Sequence, residues 1–213
     1  MKFVRCSAVL IALFISSLIA SANAAPDAKT VYDFSLVGLD GKEVPLSIYQ
    51  GKVLLIVNLA SKSIYSKQLE ALSDLQKTYS DKGLVVVGIP SGDFGSEEND
   101  DRVELKRFYL ESQHVNFAVY SKATLRGKNP IPLVHFLTDP KKGTGGGDIH
   151  WNFTKFLVDR QGKAVIRFEV DCDPADPEFR VTIEKVLDGT FKKPAEDKTS
   201  TKSGDDNEAE EDE

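Results

Sequence analysis

The chain has 213 residues, of which 41% are hydrophobic and 28% are charged, and its formal net charge is −6. This balance is typical of one globular domain with extra segments at its ends, and it argues against a collagen-like, membrane-bundle or fully disordered chain. The acidic charge argues against nucleic-acid binding, which needs a concentrated basic surface. Two cysteines and three histidines are too few for a zinc framework or a disulfide-stapled mini-domain.

Residues 1–24 have the pattern of a cleaved secretory signal peptide. Two basic residues precede an apolar stretch at 8–20, and Ala22-Asn23-Ala24 provides a small-residue cleavage site. The alternative is a membrane anchor, but the apolar stretch is shorter than the ~20 residues that span a bilayer. We therefore expect an exported protein, in the periplasm, the medium or a secretory lumen, without a stable membrane anchor. The mature chain would hold 25 Lys and Arg against 33 Asp and Glu, with Cys172 as its single cysteine.

A small β-hairpin is predicted next. Residues 31–36 alternate apolar and polar side chains, Asp40-Gly41 marks a tight turn, and Val44 begins the return strand. Two unbroken apolar runs follow at 53–57 and 84–89, and each predicts a strand that is buried on both faces.

An amphipathic helix is predicted between these two runs. Its apolar side chains recur at helical spacing, and Gly83 follows them as a stop signal. They are Tyr65, Leu69, Leu72, Leu75 and Tyr79. Two buried strands around such a helix predict a parallel βαβ unit.

The second half of the domain predicts a further series of elements. They are a helix at 101–112, a strand at 115–120, a short helix from Pro132, a hairpin of 153–158 with 164–168, and a last helix up to Gly189. Asp176 at the N-cap and Pro177 at the first helical position are expected to open the last helix. The fold class predicted for 25–191 is α/β, a thioredoxin-like mixed sheet flanked by helices with an N-terminal β-hairpin.

Residues 192–213 form an acidic tail. They include four lysines and nine aspartates and glutamates, and they contain no large apolar side chain. Such a segment cannot bury enough apolar surface to offset its ordering entropy, so we expect it to be disordered. The alternative is a tail that binds a basic partner or divalent cations.

Three segments carry candidate functional side chains. Two of them follow predicted strands, and the third lies in the last third of the domain. They are Asn58–Tyr65, Ile89–Glu97 and Ile149–Asp159. The first two lie at the carboxyl edge of the predicted sheet, where reactive groups of α/β proteins are usually placed. Together the three segments resemble the glutathione peroxidase family, in order and in separation. The resemblance runs from about residue 32 to 187, and its most specific parts read Val-Asn-Leu-Ala-Ser-Lys and Trp-Asn-Phe-Thr-Lys-Phe-Leu.

The resemblance implies four catalytic positions. In that family the first loop presents a cysteine or selenocysteine that attacks the peroxide, while a glutamine, a tryptophan and an asparagine donate hydrogen bonds to its anion. The corresponding residues here are Ser63, Glu97, Trp151 and Asn152. Trp151 and Asn152 match the family pattern, whereas Ser63 and Glu97 depart from it. The resemblance implies no prosthetic cofactor and no metal, with a hydroperoxide and a small thiol such as glutathione as the expected partners.

Both departures predict a degenerate peroxidase site. A serine hydroxyl is far less acidic than a thiol and has no sulfenic-acid cycle. An ionised Glu97 only accepts hydrogen bonds, whereas glutamine donates two, and a carboxylate repels a neighbouring anion. We therefore expect peroxidase activity to be lost or much reduced.

Other interpretations remain open at this point. One is an active thiol peroxidase that uses Cys172 or a thiol of a partner, because the mature chain has no other sulfur nucleophile. Another is a non-catalytic binding protein, and a third is an unrelated serine-based activity. The short loop at 141–147 replaces the long insertion of tetrameric family members, which predicts a monomer or a weak oligomer.

Overall fold

The computed structural model describes residues 28–144 and 146–192. The predicted signal peptide and the acidic tail beyond Lys192 lie outside the described residues. The strands are β1 (Ser35–Val37), β2 (Glu43–Pro45), β3 (Val53–Leu59), β4 (Leu84–Pro90), β5 (Ala118–Val119), β6 (Lys155–Val158) and β7 (Ala164–Phe168). The α-helices are α1 (Gln68–Tyr79), α2 (Arg102–Lys106), α3 (Pro132–Thr138) and α4 (Pro177–Leu187).

Five strands form the central sheet, in the order β5-β4-β3-β6-β7. β3 pairs in parallel with β4 and antiparallel with β6, so the sheet is mixed. All seven residues of β3 are buried, as expected for the middle strand of a sheet that is covered on both faces. The predicted mixed sheet and the parallel βαβ unit of β3, α1 and β4 are confirmed.

Two apolar clusters form the core, one on each face of the sheet. The cluster with Leu55 and Val57 of β3 packs against α1 and α4, including Leu72 and Ile183. The cluster with Leu54 and Ile56 packs against α3 and the β1–β2 hairpin. Side chains of a strand point alternately to its two faces, so the unbroken apolar run of β3 supplies both clusters. Within 28–144 and 146–192, no helix is long and apolar enough to cross a membrane.

The N-terminal hairpin forms, but it starts later than predicted. Leu36 of β1 faces Val44 of β2, whereas Val31–Asp33 is a 3-10 turn. The carboxylate of Asp33 accepts hydrogen bonds from the amides of Lys29 and Thr30, at 2.8 and 2.9 Å. This local capping competes with a strand and explains the later start.

Two helices differ locally from the prediction. The first turn predicted for α1 is instead a 3-10 segment, Ile64–Lys67, and α2 continues as a π-helical segment, Arg107–Ser112. Asp176 is at the N-cap of α4, yet its side chain makes no capping hydrogen bond. The start of α4 therefore depends on Pro177, whose fixed φ suits the first helical position.

Two strands of the second half, β5 and β6, are shorter than predicted, whereas β7 covers the predicted 164–168. β5 covers two residues of the predicted 115–120, and Val115 and Phe117 pack into the core ahead of it. β6 begins at Lys155 because Phe153 has a φ of +61°, which no strand residue adopts. Phe153 therefore ends the turn that carries the Trp-Asn pair.

Candidate active site

Ser63 lies in the loop that follows β3. Its hydroxyl oxygen accepts a hydrogen bond from the Tyr65 amide at 3.4 Å and so caps the 3-10 segment. The residue is 3% exposed, while its neighbour Ile64 is 79% exposed. Ser63 is thus buried, whereas the apolar side chain that follows it in the chain is exposed. Among the described residues, its hydroxyl donates no hydrogen bond to Glu97, Trp151 or Asn152.

The loop after β4 brings Glu97 against the Ser63 loop. The Lys62 amide donates a hydrogen bond to the Glu97 carbonyl at 2.9 Å. Gly95 and Ser96 both have positive φ, at 79° and 56°, and this tight turn points the chain back toward β3. The Glu97 side chain is partly buried, so the structure places a carboxylate at the edge of the sheet beside the Ser63 loop.

Asn152 joins this cluster from the loop before β6. Its side chain is completely buried, and Nδ2 donates to Glu97 Oε2 at 2.7 Å and to the Phe94 carbonyl at 3.0 Å. Both amide hydrogens are therefore used. The structure brings together the asparagine and the glutamate that the sequence predicts for this site, and joins them directly.

Trp151 is held by its backbone and presents its ring to the surface. Its carbonyl accepts from Asn58 Nδ2 at 3.3 Å and from Thr154 Oγ1 at 3.0 Å. The residue is 38% exposed. A Cβ atom on Gly95 would lie 3.5 Å from Glu97 Cγ and 3.7 Å from Trp151 Cη2, so the ring and the carboxylate flank one glycine.

The sequence analysis missed Glu98, which is buried next to this cluster. Its carboxylate accepts from the Ser61 amide at 3.1 Å, the Ser61 hydroxyl at 2.5 Å and the Asn99 amide at 2.8 Å. The Tyr109 hydroxyl donates a further short hydrogen bond from the π-helical segment. Burial and then the Glu98 charge raise the pKa of Tyr109, which keeps it protonated as a donor. The sequence contained one signal for Glu98: it follows Glu97 directly, so two acidic residues stand together in a loop at the carboxyl edge of the sheet.

Lys155, the first residue of β6, contacts the loop that contains Cys172. Lys155 is completely buried, and Nζ donates to the Cys172 carbonyl at 2.8 Å. Burial lowers the pKa of Lys155 to about 8, although Cys172 and the nearby carboxylates of Asp173, Asp171 and Glu169 oppose the shift. Cys172 lines a cavity together with Phe168 and Phe179. None of the four predicted site residues lines that cavity.

The comparisons with known proteins agree with these motifs. A model of the glutathione peroxidase family matches residues 31–138. The glutathione peroxidase of Lactococcus lactis is 40% identical over 150 residues, which cover 70% of this chain and 96% of that protein. The chain belongs to the glutathione peroxidase family. The hydroperoxy fatty acid reductase gpx1 of Synechocystis is 42% identical over 164 residues, which cover 74% of this chain and 96% of that protein.

Solved structures of other proteins have the same fold. GPX1 of T. cruzi superposes with a TM-score of 0.60 at 29% identity, over 76% of this chain and 99% of that one. A thioredoxin-family thiol:disulfide interchange protein of Chlorobium tepidum shares the fold alone, with a TM-score of 0.54 at 23% identity over 79% and 99%. The thioredoxin-like fold is confirmed. Glutathione peroxidases use a thiol reductant and no prosthetic cofactor; within 28–144 and 146–192, no group of three His, Cys, Asp or Glu could hold a metal ion.

Proposed function

We propose that this glutathione peroxidase family member is exported and that its hydroperoxide reduction is lost or much reduced. The family reaction is the thiol-dependent reduction of hydroperoxides. The single observation that supports the loss best is the hydrogen bond from Asn152 Nδ2 to Glu97 Oε2 at 2.7 Å. It supports the proposal because the resemblance expects a hydrogen-bond donor at position 97, whereas an ionised carboxylate only accepts.

The residue at the nucleophile position also argues against turnover. The reaction needs a polarisable anion that takes one peroxide oxygen and is then reduced by thiols. Ser63 offers only a hydroxyl, which is far less acidic than a thiol. Its hydroxyl makes no hydrogen bond to any basic side chain among the described residues, so nothing in its contacts activates it as a nucleophile.

The Asn152 donor that the family resemblance predicts for the site is already occupied. Both amide hydrogens of Asn152 bond to acceptors, one on Glu97 and one on Phe94. An ionised Glu97 would repel any anion that formed beside it. The geometry therefore favours neither formation of a nucleophilic anion nor its stabilisation.

Cys172 is a weaker candidate for the nucleophile. Its loop is held by Lys155, and the hydrogen bonds and cavity around it include none of Ser63, Glu97, Trp151 and Asn152. A thiol there would act without the tryptophan and asparagine donors that the family uses.

The test is peroxide consumption by the purified mature protein. Hydrogen peroxide and a fatty acid hydroperoxide serve as substrates, with glutathione and then thioredoxin as reductants. We expect the rates of the wild type and of Cys172→Ser to match the rate without protein. Turnover that vanishes in Cys172→Ser would instead identify an active thiol peroxidase.

Export is supported by the basic, apolar and Ala-Asn-Ala pattern of residues 1–24. Mass spectrometry of the exported fraction should give a chain that begins at Ala25. An intact N-terminus on protein that stays in the cytosol would contradict export. We further propose that 25–191 is the folded domain and that 192–213 is an acidic appendage to it.

A further inference from the structure

The cavity that Cys172 lines lies between the loop after β7 and the first turns of α4. Its volume is about 590 Å³, and small-molecule sites typically have volumes of roughly 300–1,000 Å³. The lining residues are Phe168, Cys172, Asp173, Asp176, Pro177, Glu178, Phe179 and Thr182. The cavity is therefore large enough for a small organic molecule.

The lining has a buried aromatic part and an exposed acidic part. Phe179 is 4% exposed, and the centroid of its ring lies 4.4 Å from that of the Phe168 ring. Asp176 and Glu178 are exposed, and Cys172 is partly exposed. Because these three residues border the cavity at the surface, a molecule can enter it from solvent and approach the two phenylalanines.

The acidic part of the lining has no cationic partner. Asp173, Asp176 and Glu178 line the cavity, whereas none of the described residues that line it is a lysine, an arginine or a histidine. None of these three carboxylates belongs to an ion pair within 28–144 and 146–192. Asp176 is at the N-cap of α4, yet its side chain makes no capping hydrogen bond. Its carboxylate therefore keeps acceptor capacity for a ligand.

Two positive groups near the cavity do not balance these three carboxylates. The ammonium of Lys155 is completely buried and donates to the Cys172 carbonyl at 2.8 Å. The N-terminus of a helix such as α4 carries about half a positive charge. Together these two groups supply less positive charge than the three carboxylates supply negative charge, so the potential in the cavity is negative. A cation is attracted into such a cavity, and an anion is repelled.

We propose that this cavity binds small organic ammonium ions that carry an apolar group. The apolar group packs against Phe168 and Phe179, which removes its surface from water. The ammonium group stays at the exposed end, where carboxylates accept charge-assisted hydrogen bonds from it. An anion of the same shape is repelled, and a neutral analogue lacks the ionic contact. The inference does not depend on the proposed function, because none of the candidate active-site residues lines this cavity.

Benzylammonium chloride is the probe, because it joins a phenyl ring to a primary ammonium group. It is added to the isotope-labelled mature protein at neutral pH and constant ionic strength, and the amide resonances are followed by NMR. Benzyl alcohol and sodium benzoate are the neutral and anionic reference compounds. We expect saturable shifts of the amide resonances of 172–182, with a dissociation constant on the order of 1–10 mM. Both reference compounds should bind at least about tenfold more weakly.

Cys172 gives a second measurement, because it is the only thiol from residue 25 onward. Iodoacetamide is neutral, so its own entry depends little on the charge of the cavity. Benzylammonium that occupies the cavity should slow the alkylation of Cys172 over the same concentration range as the NMR shifts. Alkylation at an unchanged rate under saturating benzylammonium would contradict binding beside Cys172.

Two double variants locate the binding site. Asp176→Asn/Glu178→Gln removes two carboxylates and should weaken benzylammonium binding at least about fivefold; asparagine suits the N-cap as well as aspartate does, so α4 is retained. Glu70→Gln/Glu111→Gln makes the same change in net charge at exposed residues that do not line the cavity, and should leave binding unchanged. Equal binding of benzylammonium and benzoate, shifts that do not saturate, or equal weakening in both double variants would overturn the proposal.

Discussion

Glu98 accepts hydrogen bonds from both the amide and the hydroxyl of Ser61, at 3.1 and 2.5 Å. Since Tyr109 donates to the same carboxylate, Glu98 ties the Ser63 loop to the π-helical segment that follows α2. π-Helical turns occur mostly as single turns inside helices, frequently at functional sites. Here the turn brings a buried tyrosine under the loop of the candidate site.

Removing this carboxylate should destabilise the protein strongly. Glu98→Ala leaves the buried Tyr109 hydroxyl and the partly buried Ser61 donors without an acceptor, which should lower the free energy of unfolding by about 3 kcal/mol. Urea denaturation followed by circular dichroism measures the change. Glu104→Ala removes a more exposed carboxylate that is paired with Arg107; it is the matched control and should alter stability by less than about 0.5 kcal/mol. Equal effects of the two substitutions would contradict the role of Glu98.

Lys155 should make the stability rise with pH in the alkaline range. Its pKa is about 8 in the folded protein against 10.5 in the unfolded chain, so between these values the unfolded state binds more protons. From pH 7.5 to 9.5 the free energy of unfolding should increase by roughly 2 kcal/mol. Above pH 10 the trend should reverse, because burial raises the pKa of Tyr109 and Tyr120.

The control for this pH dependence is Lys155→Met, which keeps the length of the side chain. Its free energy of unfolding should change little between pH 7.5 and 9.5, and at neutral pH the variant avoids burying a charge. Urea denaturation at several pH values gives both curves. Parallel curves for the wild type and Lys155→Met would show that another group titrates.

Deleting 192–213 should leave thermal stability nearly unchanged. The segment contains no large apolar residue, so its removal costs almost no apolar burial. Differential scanning calorimetry of the mature protein with and without these residues measures the melting temperature. A decrease of several degrees would show that the tail packs against the domain.

Hydrophobic patterning predicted the central elements because a middle strand must be apolar on both faces. β3 and β4 therefore stand out in the sequence, and α1 follows from the spacing of its leucines. Elements fixed by single polar contacts are not visible in this way. The 3-10 turn at 31–33 depends on hydrogen bonds to the Asp33 carboxylate, which the apolar pattern does not show. The burial of Glu98 depends on Tyr109, which comes close to it only when the chain folds.

The sequence predicts which residues form the candidate site, but it does not predict how they are arranged. The motifs predict Ser63, Glu97, Trp151 and Asn152, yet spacing along the chain cannot show that Asn152 donates to Glu97. That contact joins residues 55 positions apart and requires the positive φ of Gly95 and Ser96. The hydrogen bond between these two side chains therefore exists only in the folded chain.

The proposed loss of peroxidase activity is tested most directly by introducing the family's cysteine and then its glutamine. Ser63→Cys introduces a thiol and should give slow peroxide consumption with glutathione, because Glu97 still opposes the thiolate. Ser63→Cys/Glu97→Gln replaces that carboxylate with a donor and should be faster by on the order of tenfold or more. The measurement is the steady-state rate of peroxide consumption by both variants and the wild type, and we expect the wild type to stay at background. Robust wild-type turnover that disappears in Ser63→Ala would contradict the loss of activity.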